Sequence, residues 1–149
     1  DPLSKLAPHY AAIVIDTRPS FSLMTEMALV ASTDAIIPVE PRYLETVGLL
    51  SVIAKINNIR DGWRIANLRV RGIVVTKMDK RVRGHHHLLK ELKSHPQLNQ
   101  LLLGVIPMNE AVSYAHRGHT SIFAYDPKAS ASRAYAQLVH RIINQKQGA

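Results

Sequence analysis

Four short runs of aliphatic and β-branched residues, separated by longer helix-like stretches, constrain the fold of this chain most strongly. The runs are 11–16 (AAIVID), 35–40 (AIIPVE), 68–77 (LRVRGIVVTK) and 101–107 (LLLGVIP). Helical patterns fill the intervals and the end of the chain, at 21–31, about 43–60, 84–94 and 128–145. Continuously apolar runs that alternate with helices are typical of strands buried on both faces. The sequence therefore predicts an α/β fold, in which a mostly parallel sheet is flanked by helices on both faces.

The length and composition fit one domain with a buried core. The chain has 149 residues, and 46% of them are apolar. A chain of this size buries roughly 68–70% of the surface that it exposes when unfolded. Because no internal repeat, low-complexity tract or linker divides the sequence, we expect a single domain over residues 1–149.

Charge and cysteine content narrow the class of protein. Lysine and arginine outnumber aspartate and glutamate by 19 to 11, which gives a net charge of +8 and favours a polyanionic partner. The absence of cysteine excludes disulfides and thiolate metal sites. No apolar run approaches the roughly 20 residues of a membrane span, and the first residues do not resemble a signal peptide. We expect a cytoplasmic protein that does not bind a membrane.

Asp16 ends the first apolar run, and Thr-Arg-Pro-Ser follows it just before a helix-like stretch. In open parallel sheets, ligands bind beyond the carboxyl ends of the strands, where helix N-termini also point. An aspartate at such a position can hold a magnesium-bound water beside bound phosphates. A turn or capping role is the alternative, so Asp16 alone is a weak indication of nucleotide chemistry.

Three longer stretches resemble the ParA/MinD family of deviant Walker P-loop ATPases. They are IVIDTRPSFSLMTEMALVASTDAIIPVEPRYLETVGLL, GIVVTKMDKR and GVIPMNEAVSYAHRGHTSIFAYDPKASASRAYAQL. The most specific parts are the Asp-Thr-x-Pro-Ser turn, the IPVEP strand exit, the IP-N loop and the YDP sequence before the last helix. The ParA branch is more similar than MinD, because of YDPKASASRAY and because the C-terminal residues do not continue as a membrane-binding helix.

The resemblance implies a P-loop NTPase fold and an ATPase that uses ATP and Mg²⁺. It further implies an ATP-dependent homodimer that binds DNA without sequence preference and associates with the nucleoid. In this family a ParB-like or cargo-adaptor protein stimulates hydrolysis, and the cycle partitions or positions plasmids, chromosomes or protein cargo. These implied partners are nonspecific DNA, a stimulating protein and a second copy of the chain.

The same resemblance assigns roles around the first strand. By position, Asp16 is the Walker B aspartate, which organises Mg²⁺ through water. Thr17, Arg18, Pro19 and Ser20 form the switch loop that senses the γ-phosphate. The family usually has proline where Arg18 stands, so this residue adds a charge near the phosphates. Contact with nucleotide, DNA or the other subunit and simple solvation both stay open for Arg18.

A glycine-rich phosphate loop is missing from the sequence. The seven glycines are scattered, and none belongs to a G-x-x-x-x-G-K-[ST] motif. Family members begin with a strand that leads into this loop, so we interpret the chain as the C-terminal portion of a ParA-like ATPase. Without the backbone N–H groups and lysine of the loop, ATP loses most of its electrostatic support. We therefore expect no ATP turnover by this polypeptide alone, and a non-enzymatic relative that binds DNA or a partner is the alternative.

Two loops are candidates for contacts with the nucleotide base. Thr76, Lys77 and Asp79 follow the third apolar run, where many P-loop proteins recognise the base. TKMD partly matches the guanine motif N-K-x-D, although threonine replaces asparagine. Pro107 and Asn109 match the family loop around adenine. Asn109 also suits the N-cap of the helix that begins at EAVSYAH, and both roles stay open.

A basic stretch follows the third run and predicts a surface for DNA. Lys80, Arg81 and Arg83 cluster near a helix start, and Arg81 falls where ParA-like proteins place a DNA-contacting arginine. The family's second such arginine is replaced by Ala111, and Arg117 is the candidate that compensates for it. Each phosphate contact would make binding salt-sensitive. A solvated basic face is the alternative.

Two helical patterns have structural interpretations. His85, His86 and His87 point about 100° apart on a helix, so the three side chains cannot close around one metal ion. In the last helix, apolar residues recur at steps of three and four, which predicts docking against the sheet. The members of this stripe are Tyr135, Leu138, Val139, Ile142 and Ile143.

Overall fold

The computed structural model describes residues 2–41 and 46–144. The chain divides into two compact units. The first consists of Asp1–Ala35 and Val52–Val70, and the second of Ile36–Ser51 and Arg71–Ala149. Within the described residues, no helix is long and apolar enough to cross a membrane.

Along the described chain, each strand is separated from the next by one or two helices. The helices are α1 (Pro2–Leu6), α2 (Leu23–Val30), α3 (Thr46–Gly62), α4 (Arg83–Ser94), α5 (Pro96–Leu101), α6 (Glu110–Arg117), α7 (Ile122–Tyr125) and α8 (Ser130–Asn144), and a 3₁₀ turn at Ala7–His9 follows α1. The strands are β1 (Asp34–Val39), β2 (Arg69–Met78) and β3 (Leu102–Pro107). The strands predicted at 35–40, 68–77 and 101–107 and the helices predicted at 21–31 and 84–94 are confirmed within two residues. The other two predicted helices are confirmed where residues are described, since 43–45 and 145 lie outside that range.

The strand predicted at 11–16 is not formed. Residues 12–18 have no regular secondary structure, and residues 11–20 are all exposed. A strand needs a neighbour that supplies partners for its N–H and C=O groups. In the described residues the sheet consists of β1, β2 and β3, and residues 11–16 pair with none of them. The aliphatic composition of AAIVID was therefore not sufficient to predict a strand.

The sheet has the order β1-β2-β3, and β2 runs parallel to β3. Ile73 is paired with Leu102 and Val75 with Val105, with irregular register around Val74 and again before Met78. Four consecutive buried residues, 72–75, occupy the middle of β2. A strand that is buried on both faces is what continuously apolar sequence predicts. The α/β class, with a parallel sheet flanked by helices, is confirmed.

A core cluster in the second unit joins α8 to the sheet. Val74, Leu103, Ile106 and Leu138 are buried together. Of the apolar stripe on α8, Leu138 enters this cluster and Tyr135 and Ile142 pack against it. Val139 and Ile143 are about half exposed. The prediction that α8 docks on the sheet is confirmed, through a narrower stripe than the sequence suggested.

Two arginines also attach α8 to strands of the second unit. Arg141 Nη1 donates to Leu103 O at 2.6 Å, and Arg71 Nη2 donates to Ile142 O at 2.8 Å. Hydrogen bonds from charged donors contribute more than neutral ones, typically about 1.5–3 kcal/mol each. These contacts fix the position of α8 beside β3, and so help to position the loop that follows β3.

The first unit is held by polar and cation–π contacts on its surface. Trp63 Nε1 donates to Glu26 Oε1 at 2.7 Å, and Arg69 Nε donates to Asp34 Oδ1 at 2.8 Å. Lys55 Nζ lies 4.9 Å from the centre of the Phe21 ring. Helix α2 contributes no buried residue, and several of its apolar side chains are exposed. The buried apolar side chains of this unit include Ile56 of α3 and Leu68 before β2, whereas α2 contributes none.

Candidate functional site

The loops that follow β2 and β3 lie side by side at the carboxyl edge of the sheet. Because the strands are parallel and Met78 is paired with Pro107, both chains leave the sheet at the same edge. Met108 N–H donates to Met78 O at 2.9 Å, which ties one loop to the other. The structure therefore brings together the residues that the sequence predicts for base contacts. They are Thr76 and Lys77, which lie within β2 and not beyond it as predicted, Asp79 after β2, Pro107 at the end of β3, and Asn109 after β3.

Two cavities share the loop after β3 as a wall. The larger has a volume of about 640 Å³, and its lining includes Met78, Asp79, Arg81, Pro107, Asn109 and Ser130. The smaller has a volume of about 540 Å³, and its lining includes Glu40, Thr76, Lys77, His85, Ser113 and Tyr135. Both volumes fall in the range of roughly 300–1,000 Å³ that is usual for small-molecule sites. Apolar walls with a few polar groups suit a flat heterocycle such as a nucleobase.

Asn109 caps α6, as one of its two predicted roles requires. Its Oδ1 accepts a hydrogen bond from Ala111 N–H at 2.9 Å, and its Nδ2 donates to Ser130 Oγ at 2.9 Å. The cap satisfies one of the helix's first N–H groups, and the second bond joins the start of α6 to the start of α8. Asn109 is thus held rigidly in a position where it lines both cavities.

Asp79 and Arg81 form the most strongly connected ion pair in the described residues of these loops. Arg81 donates to Asp79 Oδ1 from its backbone N–H at 2.9 Å and from Nε at 3.1 Å, and to Oδ2 from Nη2 at 2.9 Å. These hydrogen bonds lower the pKa of the Asp79 carboxyl to about 2, so this group is ionised at neutral pH. Asp79, which is predicted to contact the base, and Arg81, which is predicted to contact DNA, are therefore ion-paired with each other.

His85, which the sequence analysis considered only as a metal ligand, has a structural role beside Asp79. It is 4% exposed, and its Nδ1 accepts a hydrogen bond from Asp79 N–H at 3.0 Å. Its Nε2 is buried and has no hydrogen-bond partner among the described residues. The sequence signal that could have predicted its burial is the helical spacing of His85 with Leu88 and Leu92, which places the three residues on one face of α4. His85 anchors the backbone of Asp79 from beneath.

The neighbouring histidines point elsewhere, as the helical spacing predicts. The ring of His86 bonds Lys80 O at 2.7 Å, and Nε2 of His87 lies 3.2 Å from Glu91 Oε1. Because His85 faces the interior, each of the three histidines contacts a different residue.

Thr76 and Lys77 already have partners at the sheet edge. Thr76 Oγ1 donates to Val39 O at 3.2 Å, and Lys77 Nζ forms an ion pair with Glu40. Lys77 has a φ of 51°, a left-handed conformation that is uncommon for residues other than glycine. Both contacts connect the end of β2 with the end of β1, where the IPVEP sequence leaves the sheet.

Basic residues occupy the outer face of α4 and the loop before it. Leu88 and Leu92 are buried on the inner face, together with His85. The predicted DNA residues Lys80, Arg81 and Arg83 are all exposed. Arg117 is exposed at the end of α6, with its guanidinium 6.0 Å from the centre of the Tyr114 ring. The charges are accessible to a polyanion.

Asp16 and the predicted switch residues belong to the first unit, whereas the two loops and the basic face belong to the second. Asp16, Thr17, Arg18, Pro19 and Ser20 are exposed and lie outside helices and strands. Ser20 N–H donates to Arg18 O at 2.8 Å, and Ser20 O accepts from Thr25 Oγ1 at 2.7 Å. These contacts form a tight turn at the predicted switch sequence.

Comparison with known proteins agrees with the motifs. A family model described as an AAA domain matches residues 1–70. The chain is 28% identical over 145 residues to the chromosome partitioning protein ParA of Myxococcus xanthus, an alignment that covers 97% of this chain and 50% of that protein. The chain thus spans about half the length of the curated relatives it matches.

Solved structures share the fold. The cell division ATPase MinD of Pyrococcus furiosus has a TM-score of 0.69 and 18% identity, with 96% of this chain and 56% of MinD covered. The septum site-determining protein MinD of Pyrococcus horikoshii, solved with Mg-ADP, has a TM-score of 0.65 and 17% identity over 94% of this chain and 53% of that one. With the sequence matches, this places the chain among the relatives of the ParA/MinD P-loop ATPases, as its motifs predict.

Proposed function

We propose that residues 1–149 are the C-terminal portion of a ParA-like ATPase domain, and that they supply the base-side loops and the DNA-facing surface of the enzyme. The observation that carries this proposal is the meeting of the loops after β2 and β3 beside the larger cavity. The family relationship supports partitioning or positioning of plasmid, chromosome or protein cargo. It also supports a cytoplasmic, nucleoid-associated location.

The cofactors of this proposal are ATP and Mg²⁺. Pro107 and Met78 offer apolar surface to the adenine, and Asn109 and Asp79 offer polar groups. Thr76 and Lys77 border the neighbouring cavity. Asp16 carries the carboxylate oxygens that Mg²⁺ prefers and would hold the ion through water. Thr17, Arg18, Pro19 and Ser20 would sense the γ-phosphate, and the metal ion would supply charge stabilisation there.

The partners of this proposal are nonspecific DNA, a second copy of the chain and a ParB-like or cargo-adaptor protein. Lys80 and Arg81, in the loop before α4, and Arg83, at its start, contact the phosphate backbone, and Arg117 adds a contact from α6. The exposure of these side chains and the net charge of +8 support this assignment.

The DNA surface can be tested by measuring how tightly a variant with two reversed charges binds duplex DNA. In the complete, ATP-loaded protein, Arg81→Glu/Arg83→Glu should abolish binding to random-sequence duplex, because two contacts become repulsive, and the salt dependence should fall by about two phosphate contacts. Lys5→Glu/Lys128→Glu changes the net charge equally at exposed positions and should retain most binding. Equal losses in the two variants would contradict the assignment.

A non-enzymatic relative that binds DNA or a partner is the second candidate. The exposed basic side chains of the second unit favour it, because contact with a polyanion needs no bound nucleotide. Under the first proposal the chain alone does not turn over ATP, and hydrolysis requires a glycine-rich phosphate loop to be supplied. Magnesium-dependent ATP hydrolysis by the purified 149-residue chain would contradict both proposals.

A further inference from the structure

The ion pair between Asp79 and Arg81 joins two parts of the candidate site. Asp79 lines the larger cavity, and its side chain is only 15% exposed. Arg81 reaches the basic surface, and its side chain is 89% exposed. A single contact therefore connects the base-side loop with the residues proposed to bind DNA.

Asp79 occupies the Nε–Nη2 edge of the Arg81 guanidinium, one of the two edges from which arginine can form a bidentate fork. Nε and Nη2 of Arg81 bond the two carboxylate oxygens of Asp79 in a fork. Arginine binds phosphate with the same kind of bidentate fork. Since this fork is occupied, a DNA phosphate must displace Asp79 to gain the same two bonds.

Asp79 is fixed in place and does not follow Arg81 outward. Its backbone N–H is bonded to the buried ring of His85, and Val82 N–H donates to its carbonyl at 3.2 Å. The low pKa of its carboxyl keeps it charged at neutral pH. Movement of Arg81 towards a phosphate thus breaks the ion pair and leaves a partly buried carboxylate without its counter-charge.

We propose that the Asp79 carboxylate competes with polyanion phosphates for Arg81 and so acts as a built-in restraint on DNA binding. This inference rests on the proposed DNA-binding function. It differs from a purely structural ion pair, because removing the carboxylate charge should strengthen binding of DNA, whereas a structural pair should only lose stability.

Asp79→Asn isolates the charge. Asparagine keeps a side-chain oxygen that can accept the Arg81 backbone N–H, so the turn is preserved while the ion pair is lost. Asp61→Asn is the matched control, since it makes the same change in net charge and releases Arg60 from its own ion pair at 2.8 Å. Fluorescence anisotropy with a random-sequence 20-base-pair duplex measures affinity across a salt series.

We expect Asp79→Asn to bind the duplex at least about fivefold more tightly than Asp61→Asn does, which is the lower end of typical coupling between sites. The slope of log affinity against log salt should steepen by about one phosphate contact. In the Arg81→Gln background the same substitution should have no effect beyond that of Asp61→Asn. Equal affinities for Asp79→Asn and Asp61→Asn would overturn the inference.

A measurement on the unsubstituted chain makes the test independent of variant folding. The carboxyl ¹³C resonance of Asp79 should shift when duplex saturates the protein, because Arg81 leaves it, and that of Asp61 should not. No shift of the Asp79 resonance on saturation would overturn the inference. If Arg81→Gln binds duplex as tightly as the unsubstituted chain, the proposed DNA surface itself fails, which is a separate outcome.

Discussion

Residues 11–16 and the middle of β2 have similar sequences, but only the residues in β2 form a strand. AAIVID and GIVV are both short and aliphatic, and a polar residue follows each of them. In the second unit, residues 72–75 are paired and buried, whereas in the first unit Val14 is 90% exposed and its segment forms no strand. The comparison teaches that an apolar run becomes a strand only where another strand supplies its hydrogen bonds and another layer covers its side chains.

Two helices repeat this contrast. Helix α8 places Leu138 in the core and is tied to β3 by Arg141. Helix α2 is more apolar along its length but has no buried residue, and Leu23 and Met24 are mostly exposed. Apolar content does not therefore measure how much a helix contributes to stability. What matters is the apolar surface that it actually removes from water.

The same substitution at one isoleucine in each unit should give the largest difference in stability. Ile106 is 2% exposed in the core cluster, and Ile13 is 41% exposed in the unpaired segment. Ile106→Ala should lower the free energy of unfolding by about 2–5 kcal/mol, because it leaves a cavity in a packed core. Ile13→Ala should change it by about 0.5 kcal/mol or less. Urea denaturation measures both, and a comparable loss in the two variants would show that residues 11–16 are buried in the folded protein in solution.

The fold was largely predictable from local pattern, and the exception is informative. β1, β2, β3 and the helices α3 and α4 between them follow from apolar runs, helical spacing and turn residues, whereas the short helix α5 was not predicted. The strand at 11–16 was predicted on the same grounds and is absent, because pairing depends on residues distant in sequence. The fate of that run cannot be read from its own composition.

Glycines in the two units offer a second, smaller contrast. Gly72 has a φ of 158°, and a Cβ built at this position would lie 2.5 Å from Leu101 O and from Leu103 Cγ. Gly72→Ala should cost roughly 1–3 kcal/mol of unfolding free energy, as is typical when atoms are added to a close-packed site. Gly62, at the end of α3 in the first unit, has open space around it. Gly62→Ala should be neutral or slightly stabilising in the same denaturation experiment, and a neutral Gly72→Ala would contradict the tight packing of β2 against β3.

The candidate site was predictable in its location but not in its contacts. Parallel strands place the loops after β2 and β3 at one edge, and the capping preference of asparagine predicts the bond from Asn109 to the start of α6. The burial of His85 and the capture of Arg81 by Asp79 depend on side-chain directions that sequence spacing does not specify. A charge that the sequence presents as a free DNA contact is consequently found in an ion pair.

The ion pairs Asp79–Arg81 in the second unit and Asp61–Arg60 in the first give the smallest expected difference in stability. This difference can be measured from the dependence of the urea midpoint on pH. The Asp79 carboxyl pKa falls from an ordinary 3.8 to about 2 because Arg81 donates side-chain and backbone hydrogen bonds to it, and the Asp61 pKa is also lowered, chiefly by its hydrogen bond from Arg60. Between these values the unfolded chain binds more protons than the folded one, so the contribution of Asp79 to stability is present above pH 3.8 and is lost as the pH falls through about 2. The urea midpoints of the unsubstituted chain and Asp79→Asn should therefore differ at pH 6 and converge near pH 2. Asp61→Asn should show a smaller difference throughout, because the Asp61 side chain is 65% exposed and water screens its pair. A midpoint difference for Asp79→Asn that persists unchanged at pH 2 would mean that the substitution acts through the turn and not through the charge.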